Sequence, residues 1–241
     1  MLGSELRILW HLLRGLPPAA THAEQLERFY APQAGRYDAF RERLLNGREN
    51  LVSKLDLHAG ERVIELGAGT GRNAEYYGPQ VPQLEGLTLV DLCPSLLAKA
   101  RERVVKWPNA EAIEADVTVW QPTLQADKVY FSYALTMIPD WFLAIDNAIK
   151  MLRPGGLLGV VDFYVSRNRP SSGLVRHPLW QRSFWPMWFG HDGVNLSPDH
   201  LPYLRSKLST VALEEHLGAV PFLPGLKVPY YVFVGRKAGG D

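Results

Sequence analysis

Three glycines at alternate positions, Gly67, Gly69 and Gly71, follow Glu65-Leu66 and are interleaved with Ala68 and Thr70. Positions without a Cβ let the chain turn tightly and let a ligand approach the main chain itself. Ahead of them Arg62 to Leu66 reads as a short apolar strand, and behind them Arg72 to Tyr77 reads as a helix. A strand, a glycine loop and a helix start together offer unpaired N–H groups and a positive dipole end, which suit a polar or anionic ligand. The dinucleotide fingerprint G-x-G-x-x-G would place its third glycine one position later. Here residue 72 is Arg72, so the loop departs from the pyrophosphate-cradling pattern.

Two acids extend the pattern. Asp91 closes the second expected strand, Leu87 to Leu92, 20 residues after Gly71. A carboxylate there can accept hydrogen bonds from both hydroxyls of a ribose. Asp116 ends the third strand in Glu114-Ala115-Asp116, where it can accept from an adenine amino group. Either acid alone could equally cap a helix. Their order, each at the carboxyl end of a strand, is what points to a nucleoside-bearing ligand. The candidate ligand-contacting set is Glu65, Gly67, Ala68, Gly69, Thr70, Gly71, Asp91, Leu92, Asp116, Val117 and Ser132.

The elements that must position these residues alternate regularly. Further strands are expected near Glu111 to Ala115, over Lys128 to Leu135 and over Leu157 to Val165, with helices over Ser95 to Lys106 and Trp141 to Leu152. Strands alternating with helices predict an α/β fold: a doubly wound, mostly parallel sheet. Ser209 to Leu213 and Pro229 to Val234 read as an antiparallel hairpin at the sheet edge, bringing the strands to seven. Residues 1–56 read as an N-terminal helical region and cover, broken near Ala31-Pro32 and Asn46-Gly47, and 57–241 as the ligand-binding domain. An aromatic, proline-rich insertion at about 166–198 reads as irregular, and a long connection of this kind is more often functional than idle.

The arrangement resembles the class I S-adenosylmethionine-dependent methyltransferases, with Rossmann-like topology. Glu65 to Gly71 matches that family's first motif, Asp91 its second and Asp116 its third, and Leu152-Arg153-Pro154-Gly155-Gly156 matches the turn before its fifth strand. The resemblance, over about residues 60–165, implies S-adenosyl-L-methionine as cofactor and S-adenosyl-L-homocysteine as product.

For the methyl acceptor, the Asn/Asp-Pro-Pro-Tyr segment of DNA and protein-glutamine methyltransferases is missing after the fourth strand, where the chain reads Phe131 to Trp141. No GxSxG, HExxH or cysteine cluster supports a hydrolase or a metal site. Trp180, Phe184, Trp185, Trp188 and Phe189 crowd the insertion, with Tyr30, Tyr37 and Tyr133 as further contributors. Such rings either pack a core or, face-on, attract an amine that becomes quaternary. Phe29 to Asp38, Asn46 to Glu49, Phe131 to Trp141 and His177 to Trp180 carry a finer resemblance, to the N-methyltransferases of betaine-lipid synthesis, which trimethylate the amino group of diacylglyceryl-homoserine. That resemblance implies Tyr30, Tyr37 and Tyr133 at the methyl-transfer site. It implies Arg48, Trp141, His177 and Trp180 around the substrate, and a separate partner making the homoserine headgroup. The alternatives are a methyltransferase for phosphatidylethanolamine or for a quinone carbon, the latter with His177 or His191 as base, and a protein that binds the cofactor without transferring its methyl.

The formal charge of +1 gives no overall basic field for nucleic acid. A single cysteine, Cys93, cannot form an internal disulfide and fits a reducing, cytoplasmic setting. Leu6, Leu9, Trp10, Leu13 and Leu16 recur at helical spacing among Glu5, Arg7, His11 and Arg14. That first helix either docks on the domain or lies on a membrane surface, which would make attachment peripheral.

Overall fold

The computed structural model describes residues 21–31, 43–190, 193–221, 223 and 225–239. The expected first helix, Tyr37 and His191 lie outside them. Seven strands form one sheet: β1 (Arg62–Leu66), β2 (Gly86–Asp91), β3 (Ala110–Glu114), β4 (Ala126–Ser132), β5 (Leu152–Phe163), β6 (Ser209–Ala219) and β7 (Lys227–Arg236). Their order is β3-β2-β1-β4-β5-β7-β6. The first five pair in parallel, while β7 runs antiparallel to both β5 and β6. The central strands β1 and β4 are buried nearly throughout, as expected of parallel strands covered on both faces. This is the expected seven-stranded α/β fold.

The order reverses between β1 and β4, and the carboxyl ends of strands flanking such a switch form a crevice. On one face lie α1 (His22–Tyr30), α2 (Arg48–Leu55), α3 (Pro94–Val104) and α5 (Leu179–Gly190); on the other lie α4 (Trp141–Met151) and α6 (His200–Lys207). Helix α3 starts with Pro94, whose missing N–H costs nothing in a first turn, and buries Leu96, Leu97, Ala100 and Val104 along one stripe. Helix α4 buries Ala144, Ile145, Ala148 and Met151 on the opposite side of the sheet.

Several boundaries differ from the sequence expectation. Strand β4 stops at Ser132 because Tyr133 turns into the left-handed region at φ 55°, which ends ladder pairing. The hairpin strands are longer than expected, and α6 is an element the sequence reading did not anticipate. The insertion is not wholly irregular. Residues Leu179 to Gly190 are helical despite Pro186, with Gln181, Trp185 and Phe189 buried at helical spacing. Apolar residues also occupy the other side of this helix, so no polar face marked the period.

Candidate active site

The glycine loop turns at the end of β1, with Gly67, Gly69 and Gly71 all at positive φ. A Cβ on Gly67 would collide with the Ala134 Cβ, so the loop presses directly on the segment after β4. A Cβ on Gly71 would lie 2.7 Å from Leu89 Cδ1 and 3.3 Å from the Ala100 Cβ. Gly71 therefore lets the loop pack against β2 and α3, beneath the crevice rather than in it. At Gly69 the nearest atom would be 3.8 Å away.

Asp91, at the end of β2, ties this loop down. Its Oδ2 accepts from the Gly69 N–H at 2.7 Å and its Oδ1 from the Cys93 N–H at 2.9 Å. Asp116 stands two residues past β3, exposed, with Oδ1 accepting from the Thr118 N–H and hydroxyl. Both acids line one pocket together with Gly67, Ala68, Gly69, Thr70, Leu92, Val117 and Ser132. The structure thus brings together nine of the eleven residues named as ligand contacts from sequence.

The other two are Gly71 and Glu65. Glu65 is fully buried under the loop, where its carboxylate accepts from Asn73 Nδ2 at 2.6 Å and from the Tyr130 hydroxyl at 2.8 Å. Burial pushes its pKa up to about 7, against the opposing effect of these hydrogen bonds and of the nearby Arg48 charge. Tyr130 in turn shares a 2.9 Å hydrogen bond with Tyr77. Glu65 supports the loop through the Asn73 side chain, which itself lines the pocket.

The opposite wall comes from the N-terminal cover. Tyr30, at the end of α1, is buried and lines the pocket. Helix α1 is fastened through Glu27, whose Oε2 accepts from the Ser95 N–H and the Cys93 thiol, both at 3.1 Å, at the positive end of α3. Arg48 opens α2 and is 7% exposed, its guanidinium 5.7 Å from the Tyr76 ring centroid. Gly47, at φ 81°, makes this placement possible, since a Cβ there would meet Tyr230 Cε2 at 2.6 Å. Tyr133 lines the pocket and donates its hydroxyl to the Asn46 carbonyl at 2.6 Å, fastening the start of α2 to the end of β4. Burial, with Asp162 adding to it, holds the Tyr133 hydroxyl well above its ordinary pKa, so it stays neutral.

Three polar atoms in this pocket are buried and, among the described residues, lack a hydrogen-bond partner: Arg48 Nε, Asn73 Oδ1 and Ser132 Oγ. Buried polar groups in native proteins are almost always paired, so these three are available to a polar ligand in the pocket. The glycine cradle, the acid at the end of β2 and these orphaned groups fit a nucleoside carrying a charged side chain. Asn73, Arg72, Leu26, Leu45 and Met137 were not named from sequence. Arg72 and Asn73 were the most accessible of them, standing one and two residues past the last glycine.

The remaining sequence-named residues are elsewhere. Trp141 packs between His200 and Tyr203, with ring centroids 4.8 and 5.4 Å away. His177 is buried beside Tyr164 and accepts the Ser166 N–H at Nδ1. Trp180 is half exposed on the outer side of α5. The structure brings none of the three to the pocket.

Comparison with known proteins agrees with this architecture. Residues 28–213 match the family described as Methyltransferase domain. Trans-aconitate 2-methyltransferase of Escherichia coli is 26% identical over 134 residues, covering 56% of this chain and 51% of that protein. The chain thus spans about half the length of the curated relatives it matches. Among solved structures, the N-methyltransferase NodS of Bradyrhizobium japonicum, in complex with S-adenosyl-L-homocysteine, superposes with a TM-score of 0.64 at 21% identity, covering 90% of this chain and 98% of that one. Phosphoethanolamine N-methyltransferase 2 of Haemonchus contortus superposes with a TM-score of 0.67 at 14% identity, covering 92% of this chain and 61% of that one. With the family model covering most of the sequence, and the sheet order and glycine cradle in place, the chain belongs to the methyltransferase-domain family, whose cofactor is S-adenosylmethionine.

Proposed function

We propose that this protein methylates the amino nitrogen of a lipid-linked amino acid, diacylglyceryl-homoserine, in three rounds that yield a betaine lipid. Bound S-adenosylmethionine supplies an electrophilic methyl group on a sulfonium, which the nitrogen lone pair takes. The loop from Gly67 to Thr70 and Asp91 would hold the cofactor's ribose and amino-acid portion, and Asp116 with Val117 the adenine. Leu92 and Ser132 would complete the contact.

The observation that carries the acceptor reading is Arg48. Its guanidinium is buried on the pocket wall with no carboxylate bonded to it among the described residues. A buried charge with no bonded carboxylate is costly even with the Tyr76 ring and the Glu65 charge nearby, and a guanidinium recognises a carboxylate with two parallel hydrogen bonds. A homoserine headgroup carries its carboxylate and its amine on one carbon, so holding the first positions the second. Tyr30 and Tyr133 line the same pocket, and tyrosine faces attract the nitrogen as it becomes cationic. Their work is alignment and exclusion of water, which is most of what an already electrophilic methyl group needs. An amine arriving unprotonated needs no base for the transfer itself, and the proton left on nitrogen after each of the first two rounds passes to water before the next. Such an acceptor lies in a bilayer, so this reading includes peripheral attachment to a membrane and a separate activity that makes the headgroup. Among the described residues no helix is long and apolar enough to cross a membrane.

The test is incubation of the protein with labelled S-adenosylmethionine and lipids containing diacylglyceryl-homoserine, followed by mass spectrometry. Mono-, di- and trimethylated products are expected. Label in phosphatidylethanolamine or quinone, with the homoserine lipid untouched, would overturn the assignment.

A further inference from the structure

Helix α5 is apolar on both sides. Trp185 and Phe189 enter the core, while Leu179, Trp180 and Met187 are 70%, 49% and 72% exposed on the opposite half of the helix. A helix that is apolar all round is normally covered all round. Unbalanced charge lies beside the first turn of this helix. Arg176 and Arg182 each donate to the same neutral acceptor, Asn168 Oδ1, at 3.3 and 3.1 Å. Neither forms an ion pair among the described residues, and Arg182 Nε is buried without a partner. Two guanidiniums gathered on an amide oxygen call for an anion. From 166 to 198 the sequence has four arginines and one acid, and of the four Arg167 is paired with Asp199, which leaves Arg169, Arg176 and Arg182.

We propose that this outer face of α5 is a built-in membrane contact, resting on the surface of a bilayer that contains anionic phospholipids. Exposed tryptophan, leucine and methionine beside arginines form the pattern of an interfacial helix: rings and alkyl groups enter the headgroup boundary while the guanidiniums meet phosphodiesters. The placement is also continuous with the pocket. Phe189 stacks on Phe163 at 5.1 Å and Phe163 packs against Tyr133 at 4.6 Å, so a file of rings joins the inner side of α5 to the pocket wall. The purpose of this surface rests on the lipid-acceptor reading; its physical basis does not.

The test uses the full chain and vesicles of phosphatidylcholine with a minority of phosphatidylglycerol. Leu179→Ser/Trp180→Ser/Met187→Ser should reduce co-sedimentation by about tenfold or more, with affinity for S-adenosylhomocysteine unchanged. Arg176→Gln/Arg182→Gln should abolish the preference for phosphatidylglycerol. Should the triple variant not fold, Trp180→Phe provides a milder reading: it should lose part of the tryptophan quenching seen with brominated-lipid vesicles. Unaltered sedimentation and quenching in these variants would overturn the proposal. So would a wild-type dimer that the triple variant dissociates, since a second copy would then cover the face. Methylation of the homoserine lipid in detergent micelles is measured in parallel. Its failure would bear on the acceptor alone, while sedimentation that follows the α5 variants would still support the surface.

Discussion

The Gly69 N–H donates to Asp91 Oδ2 at 2.7 Å, so the acid at the end of β2 holds the glycine loop as well as facing the pocket. The double duty separates two substitutions. Asp91→Ala loses both the loop contact and the ligand acceptor, and should weaken S-adenosylhomocysteine binding by about 1–3 kcal/mol. Asp91→Asn keeps one acceptor oxygen and should lose less. Calorimetric titration of both variants checks the order; equal affinity for Ala and wild type would remove Asp91 from the ribose role.

Arg48→Gln separates acceptor from cofactor. On the proposed reading, KM for the lipid acceptor rises by about tenfold or more, in keeping with loss of a charged hydrogen-bonded pair, while S-adenosylhomocysteine affinity stays within twofold. The opposite pattern would reassign Arg48 to the cofactor's own carboxylate. Arg48→Lys should restore little, because an ammonium lacks the planar fork.

Gly71→Ala should act on stability rather than on ligand contacts. The new methyl group would lie 2.7 Å from Leu89 Cδ1 at a backbone φ of 68°, two penalties at one position. A loss of about 1–3 kcal/mol in unfolding free energy is expected from overpacking alone. Denaturant titration with the ligand absent measures it directly.

Acid sensitivity has a local source in His200. The ring is wholly buried against Trp141, and neither nitrogen has a partner among the described residues. Burial pushes its pKa down to about 4 from the ordinary 6.5, with Asp199 acting weakly the other way. As pH falls, the unfolded chain therefore takes up the proton first. The stability associated with the neutral ring is complete above 6.5 and is lost between 6.5 and 4, to the extent of roughly 3 kcal/mol. His200→Phe should keep the packing and flatten this part of the pH–stability curve, as followed by thermal unfolding across that range. An unchanged acid slope would place the sensitivity elsewhere.

Sequence reading worked where the chemistry is local. The glycines, Asp91 and Asp116 occupy strand ends that periodicity locates, so their convergence follows from the parallel topology alone. It fell short where placement depends on tertiary packing. Nothing in the sequence distinguishes Trp180, which faces outward, from Trp185, which is fully buried, because both lie in a stretch without polar spacing. His177 and Trp141 looked available as side chains but are consumed by Tyr164, His200 and Tyr203. Glu65 was legible as part of the loop, yet only its burial reveals that it supports Asn73 from beneath.

The position of β7 also has a consequence for how this chain comes to be folded. It lies between β5 and β6, although it is made after both. During synthesis the outer rim of β5 therefore has no neighbour until residues 227–236 have left the ribosome, and its unpaired backbone groups can recruit another chain. The pocket around β1, β2 and β4 is lined by residues no later than Asp140 and needs no such wait. A nascent chain can thus assemble the ligand-facing half early, while the vulnerable rim is shielded last.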